Sequence, residues 1–288
     1  MRLPGYVAVI ALILALCSSV TWGLGDFLGG LQSRRLPLLN VLVGSQLAGL
    51  IAISAFVALD GSAPPRLEFV AFAVLSGLAG VVGLASFYRG LAIGNMGVVA
   101  PISSTAAVIP LAIGIASGDR PSALASIGLT LALAGVALAS REEVGRDQIR
   151  GQMAKGTAFA ILSAVGFGFF FAAMDRASDG GVQWAIFVNR VTGVSLLLGA
   201  ALVLRPPIAV TRRDVPLLGA IGALDISANG MFAVASTKGL ISLVAVVGSL
   251  YPLTTMALAR AVLGERPNRV ARLGVAVALA GVVLIAAG

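Results

Sequence analysis

The chain has 288 residues, of which 58% are hydrophobic and 11% charged, with a mean hydropathy of +1.01 and a formal net charge of +8. A soluble domain carries about 25% charged residues, so too few polar side chains remain to cover a water-facing surface, and the solvent must be lipid. The 20 Lys and Arg sit singly or in pairs between apolar runs, a pattern that sets membrane topology and argues against nucleic acid as a partner. There is no histidine, and the single Cys17 lies inside an apolar run. A disulfide framework, a metal cluster and any cofactor built on such ligands are therefore not expected.

A membrane span needs about 20 mainly apolar residues. Ten stretches qualify: 6–30, 37–59, 67–93, 96–117, 121–140, 154–174, 182–204, 214–237, 241–262 and 268–287. The first follows Arg2 and imitates a signal peptide, but its apolar run is too long for a signal core. Leu14-Ala15-Leu16-Cys17 resembles a lipoprotein cleavage site except that Leu16 is too large, so a retained first helix is expected. The longest polar stretch, 141–155, holds four basic and three acidic residues at the midpoint of the chain. It divides the chain into a first unit, 1–140, and a second, 156–288.

The two units echo one another. An offset of 145 pairs Ser18 with Ser163, Gly23 with Gly168, Gly77 with Gly222, Phe87 with Phe232 and Ser104 with Ser249. After one inserted residue, an offset of 146 pairs Arg120, Pro121, Gly128 and Gly135 with Arg266, Pro267, Gly274 and Gly281. The second and seventh stretches match poorly, with Ser45 opposite Arg190. An odd number of helices per copy makes the second copy enter from the opposite face. The expected fold is all-α, ten transmembrane helices in two five-helix inverted-topology repeats. Connections after odd-numbered stretches carry 14 Lys and Arg, whereas the N-terminus and the even ones carry five. Both termini are then expected outside the cytoplasm, with the protein in the inner membrane.

At Gly264-Glu265-Arg266-Pro267, Arg272-Leu273-Gly274 and Ala280-Gly281-Val282-Val283-Leu284, the chain resembles the drug/metabolite transporter superfamily, specifically its ten-helix EamA-type exporters. The first unit departs from the pattern, with Asp119 at the acidic position. The resemblance implies efflux of small metabolites through a central cavity between two helical bundles by alternating access. Amino-acid exporters of the YddG type are the nearest such group.

Glu265 and Asp119 stand where one helix ends and the next begins, so helix capping accounts for them. The paired glycines 128, 135, 274 and 281 are read as close helix contacts. Ionisable residues deep inside a span tend to face a cavity or a partner. Asp225 is the clearest, with Asn229 one turn later on the same face, and a substrate or proton site stands beside a buried structural pair as its two readings. Asp26, Arg89 and Arg190 are candidates for ion pairing or coupling, although Arg89 can also snorkel to the headgroups. Trp22, Tyr88 and Tyr251 are candidate cavity aromatics, while Trp184 suits an interfacial anchor. Pro252 in the ninth stretch frees a backbone carbonyl a turn earlier, which is tolerated where backbone lines a cavity. Ser249, Ser103 and Ser104 offer hydroxyls there, or serve helix packing.

These features favour a secondary exporter, its partners a small molecule, the bilayer and a proton as coupling ion. A passive channel or a lipid flippase also needs few charges. An intramembrane enzyme lacks a nucleophile–base pair, and no Gly-Lys-Ser/Thr phosphate loop provides ATP drive.

Overall fold

The computed structural model describes residues 5–93, 96–139, 150–263 and 269–287. Among them every regular element is helical. In order they are α1 (Gly5–Gln32), α2 (Leu38–Asp60), α3 (Leu67–Ile93), α4 (Met96–Ser104), α5 (Val108–Ala116), α6 (Ala123–Ala139), α7 (Arg150–Ser178), α8 (Val182–Leu204), α9 (Val215–Ser236), α10 (Ile241–Gly248), α11 (Tyr251–Leu263) and α12 (Arg269–Ala287). Seven apolar segments of the described residues are long enough to cross a membrane, the α10–α11 pair counted as one. Ile102–Ala116, Ala123–Leu138 and Arg272–Ile285 are shorter apolar helices. Outward-facing apolar residues recur at helical spacing: Val9, Ile13, Leu16 and Val20 on α1, and Ile161, Val165 and Phe169 on α7 are exposed. Such stripes suit a hydrocarbon solvent. α7 begins inside the polar stretch at the midpoint, and residues 140–149 lie outside those described.

The fourth and ninth stretches are not continuous helices. A 3₁₀ turn at Thr105–Ala107 separates α4 from α5, and Ser249 and Leu250 separate α10 from α11. Proline explains both breaks, because its ring excludes the carbonyl four residues back and supplies no N–H to it. That carbonyl belongs to Ala106 for Pro110, and to Gly248, the last residue of α10, for Pro252. Pro252 itself then sits in the first turn of α11, where proline is tolerated. The two breaks fall at matching places in the two units, since Ser104 and Ser249 are 145 residues apart.

Asp119 does cap a helix, but not the one that follows it in sequence. Its Oδ2 accepts a hydrogen bond from the Ser242 amide at 3.1 Å, in the first turn of α10 in the other half. The start of α6 is served by Ser122, whose Oγ accepts from the Ala125 amide at 3.0 Å. Glu265, Arg266 and Pro267 lie outside the described residues.

Packing pairs the halves rather than separating them. α3 lies on α7 and α8 just as α9 lies on α1 and α2, while α2 meets α8, α5 meets α10 and α6 meets α12. Small residues permit this. A Cβ on Gly128 would lie 2.6 Å from the Gly281 carbonyl, and one on Gly281 would lie 2.6 Å from the Gly128 carbonyl. Gly23 faces the Tyr251 carbonyl and Gly168 faces the Ala106 carbonyl, at 2.6 and 2.9 Å by the same measure. Tyr251 and Ala106 are themselves 145 residues apart.

The structure corrects the register of the second and seventh stretches. Gly77 abuts the Asn189 carbonyl and Thr192, whereas its mate Gly222 abuts the Ser45 carbonyl and Ala48. Gly193 faces the Gly77 carbonyl as Gly49 faces that of Gly222. Each correspondence requires an offset of 144, so Gln46, not Ser45, is the counterpart of Arg190.

The connection into α9 is polar. Asp214 accepts hydrogen bonds from the Thr211 hydroxyl (2.7 Å), the Thr211 amide (2.9 Å) and Gln32 Nε2 (3.0 Å). The Thr211 hydroxyl, followed by its amide, holds the Asp214 carboxyl below the usual range. A carboxyl lowered on folding stabilises above its unfolded pKa, roughly 3.9, and that contribution disappears as pH falls through the folded value. The thermal midpoint of Asp214→Asn in detergent is therefore expected to lie below wild type at pH 6, with the gap closing toward pH 3. A gap constant across that range rules out this role.

Candidate functional site

The halves meet around a small cavity of about 60 Å³, less than the roughly 300–1,000 Å³ of common small-molecule sites. It has an aromatic side and a charged side. Trp22 on α1, Phe167, Phe170 and Phe171 on α7, and Tyr251 at the start of α11 form the first. Trp22 stacks edge-on to Phe170 (6.1 Å between centroids), and Tyr251 meets Phe167 the same way at 6.1 Å. The second comprises Asp26 on α1, Gln46 on α2, Asn189 and Arg190 on α8, and Asp225 and Asn229 on α9.

Sequence spacing puts these groups in place. Asp225 and Asn229 are one turn apart, and Asn229 Nδ2 donates to the Asp225 backbone carbonyl at 2.8 Å. Gly77, Gly80 and Gly193 also line the cavity, with the aliphatic side chains of Leu42, Val81, Leu84 and Leu197. Gly80, the counterpart of Asp225, thus lies at the same cavity, with no side chain where the other half has a carboxylate.

Arg190 Nη1 forms an ion pair with Asp225 Oδ2 at 2.7 Å, with only 3% of the arginine side chain exposed. Gln46 completes a triangle, its Oε1 accepting from Arg190 Nη1 and its Nε2 donating to Asp225 Oδ2 at 3.3 Å. Asn189 donates to Ser76 Oγ at 2.9 Å, anchoring α8 to α3. Arg190 Nε and Nη2, Asn229 Oδ1 and Tyr251 Oη are buried with no hydrogen-bond partner among the described residues. Asp26 is buried and makes no hydrogen bond or ion pair among them. The cavity thus holds two acids and one base, with one acid uncommitted.

Of the residues singled out from sequence, Trp22, Asp26, Arg190, Asp225, Asn229 and Tyr251 come together here. Tyr88, Arg89, Ser103, Ser104, Ser249 and Pro252 do not line it. Tyr88 is buried against Gly29, and Arg89 is exposed on α3. Ser249 Oγ donates to the Val246 carbonyl at 2.8 Å, serving the end of α10, and Ser103, Ser104 and Pro252 are buried in packing. Trp184 bonds through Nε1 to Ser62 Oγ (3.1 Å), between α2 and α3.

Sequence reading missed Gln46, Asn189 as a cavity residue, and the phenylalanines of α7. A run with Phe at 167, 169, 170 and 171, in a chain of 12 Phe, was a usable signal. Gln46 had none while the helix register was off by one.

The model of the EamA-like transporter family matches residues 9–141 and again 154–287. A protein of known crystal structure shares the fold with a TM-score of 0.75 at 14% identity, the match covering 95% of each chain. No curated protein matches the chain.

Proposed function

The chain belongs to the EamA-like transporter family, and from that premise we propose that it exports amino acids or similar small metabolites across the cytoplasmic membrane by alternating access. Family membership makes it a multi-pass membrane protein of two repeats, with a small-molecule substrate and a bilayer for surroundings, and the family is not one of enzymes. The finer reading has ten spans, a first repeat in 1–140 and a second in 156–288, inverted about a pseudo-two-fold axis, with both termini outside. The symmetric pairing of α3 with α7 and α8, and of α9 with α1 and α2, supports a two-fold relation between the repeats.

The observation that carries the transport reading is the small cavity at the seam of the two repeats, holding an ion pair with a buried arginine and polar atoms that have no partner among the described residues. Binding a metabolite there requires the halves to part, and the breaks at α4–α5 and α10–α11 are where a helix bends with fewest hydrogen bonds to lose. A cavity of this size speaks against a standing pore.

Counterflow in proteoliposomes tests it. Labelled leucine is expected to accumulate against unlabelled leucine inside, and a pH gradient is expected to change the rate if a proton is coupled. Leucine that equilibrates without accumulating points to a channel, and absence of flux for a panel of amino acids refutes amino-acid export.

A further inference from the structure

We propose that the Nε–Nη2 edge of Arg190 holds the carboxylate of the transported molecule while Asp26 receives its ammonium, so that the cavity selects α-amino acids. The inference rests on the reading of this cavity as the transport site.

Arg190 has one terminal nitrogen in use and one edge without an acceptor among the described residues. Nη1 is occupied by Asp225 and Gln46. Nε and Nη2 lie side by side on one edge of the planar guanidinium, and both are buried without an acceptor among the described residues. Two parallel N–H donors at fixed separation match the two oxygens of a carboxylate, an arrangement a lysine cannot reproduce. Buried polar atoms are nearly always paired. Here four of them, the two arginine nitrogens, Asn229 Oδ1 and Tyr251 Oη, belong to residues lining one cavity.

Charge narrows the class. With Asp225 and Arg190 already paired, a simple carboxylate would bring a further negative charge to a cavity that also holds the uncommitted Asp26. A buried charge without a partner is strongly unfavourable. An α-amino acid carries its own ammonium, and Asp26 on α1 is the acid free to meet it. An amine without a carboxylate would leave the arginine edge unpaired. The aromatic side, Trp22 with the α7 phenylalanines, then takes the substrate side chain.

Trp22 reports on occupancy. The chain has two tryptophans, and Trp184 lies away from the cavity, so Trp184→Phe leaves Trp22 as the sole emitter. The full-length protein in detergent is titrated with leucine, with leucinamide, which lacks the carboxylate, and with 4-methylpentanoate, which lacks the ammonium. Leucine is expected to shift Trp22 emission saturably, and each analogue to bind roughly 10–100-fold more weakly, the range of a lost hydrogen bond to a charged group. The neutral pair Arg190→Gln with Asp225→Asn should make leucine and leucinamide equal, and Asp26→Asn should make leucine and 4-methylpentanoate equal. Leucinamide binding as well as leucine in the wild-type cavity overturns the assignment, as does a neutral pair that keeps the preference, or no saturable shift with any probe. Discrimination without leucine counterflow leaves the binding assignment standing and removes export; counterflow without discrimination does the reverse.

Discussion

Replacing Asp225 with alanine is expected to produce the largest loss of any single change at the cavity, lowering the thermal midpoint and abolishing counterflow. Asp225 is the only acid in ion-pair contact with Arg190 among the described residues, and the arginine side chain is 3% exposed. Removing one partner of a buried pair strands the other charge, at a cost of about 3–5 kcal/mol. Gln46 then bonds a cation that has lost its ion-pair partner. The double variant Arg190→Gln, Asp225→Asn removes both charges and is expected to recover most of the lost midpoint, because neutralising a buried pair is far cheaper than halving it. Transport should stay absent in the double variant, which separates folding from function. Thermal unfolding in detergent and leucine counterflow are the two readouts, and an Asp225→Ala protein that melts like wild type refutes the buried-pair account.

The second large effect concerns backbone contact. Gly77→Leu and Gly222→Leu are expected to be comparably destabilising, by about 1–3 kcal/mol or more, the range of overpacking in a close-packed core. At Gly77 a Cβ would stand 2.6 Å from the Asn189 carbonyl and 2.8 Å from Thr192 Cβ; at Gly222 it would press on the Ser45 carbonyl and stand 2.9 Å from Ala48 Cβ. Backbone cannot step aside as a flexible side chain does, so α8 or α2 must move. Arg190 follows Asn189, and Gln46 follows Ser45, so either displacement also misaligns the triangle with Asp225 and should suppress transport. Gly219→Leu on α9 is the control, since a Cβ there meets nothing within 4 Å. Leucine is the better helix former, so if Gly219→Leu is as harmful as Gly222→Leu, backbone crowding at Gly222 is not the cause.

Much of this was legible in the sequence alone. Charge scarcity and apolar run length identified a membrane chain, because lipid leaves no other use for so few polar groups. Duplication was visible because ungapped offsets and matched Arg-Pro breaks survive divergence. Asp225, Arg190, Asp26 and Trp22 stood out because a polar or bulky group deep in an apolar run needs a reason. The serines of α4, with Ser249 and Pro252, looked equally suitable, yet they are buried away from the cavity. A hydroxyl satisfied by its own helix, as Ser249 is by Val246, looks the same in sequence as one aimed at a cavity.

Composition and periodicity by themselves determined the solvent, the helices and the repeat, since each depends on residues close in sequence or on self-similarity along the chain. Only the tertiary structure decided which acid is committed. Asp225 meets Arg190 and Gln46 across 35 and 179 positions of chain, whereas Asp26 meets no hydrogen-bond or ion-pair partner among the described residues, and no local pattern distinguishes the two. It also decided the one-residue slip that makes Gln46 the counterpart of Arg190. Such a slip changes helix rotation by about 100°, which reassigns the residue facing the seam without altering hydropathy.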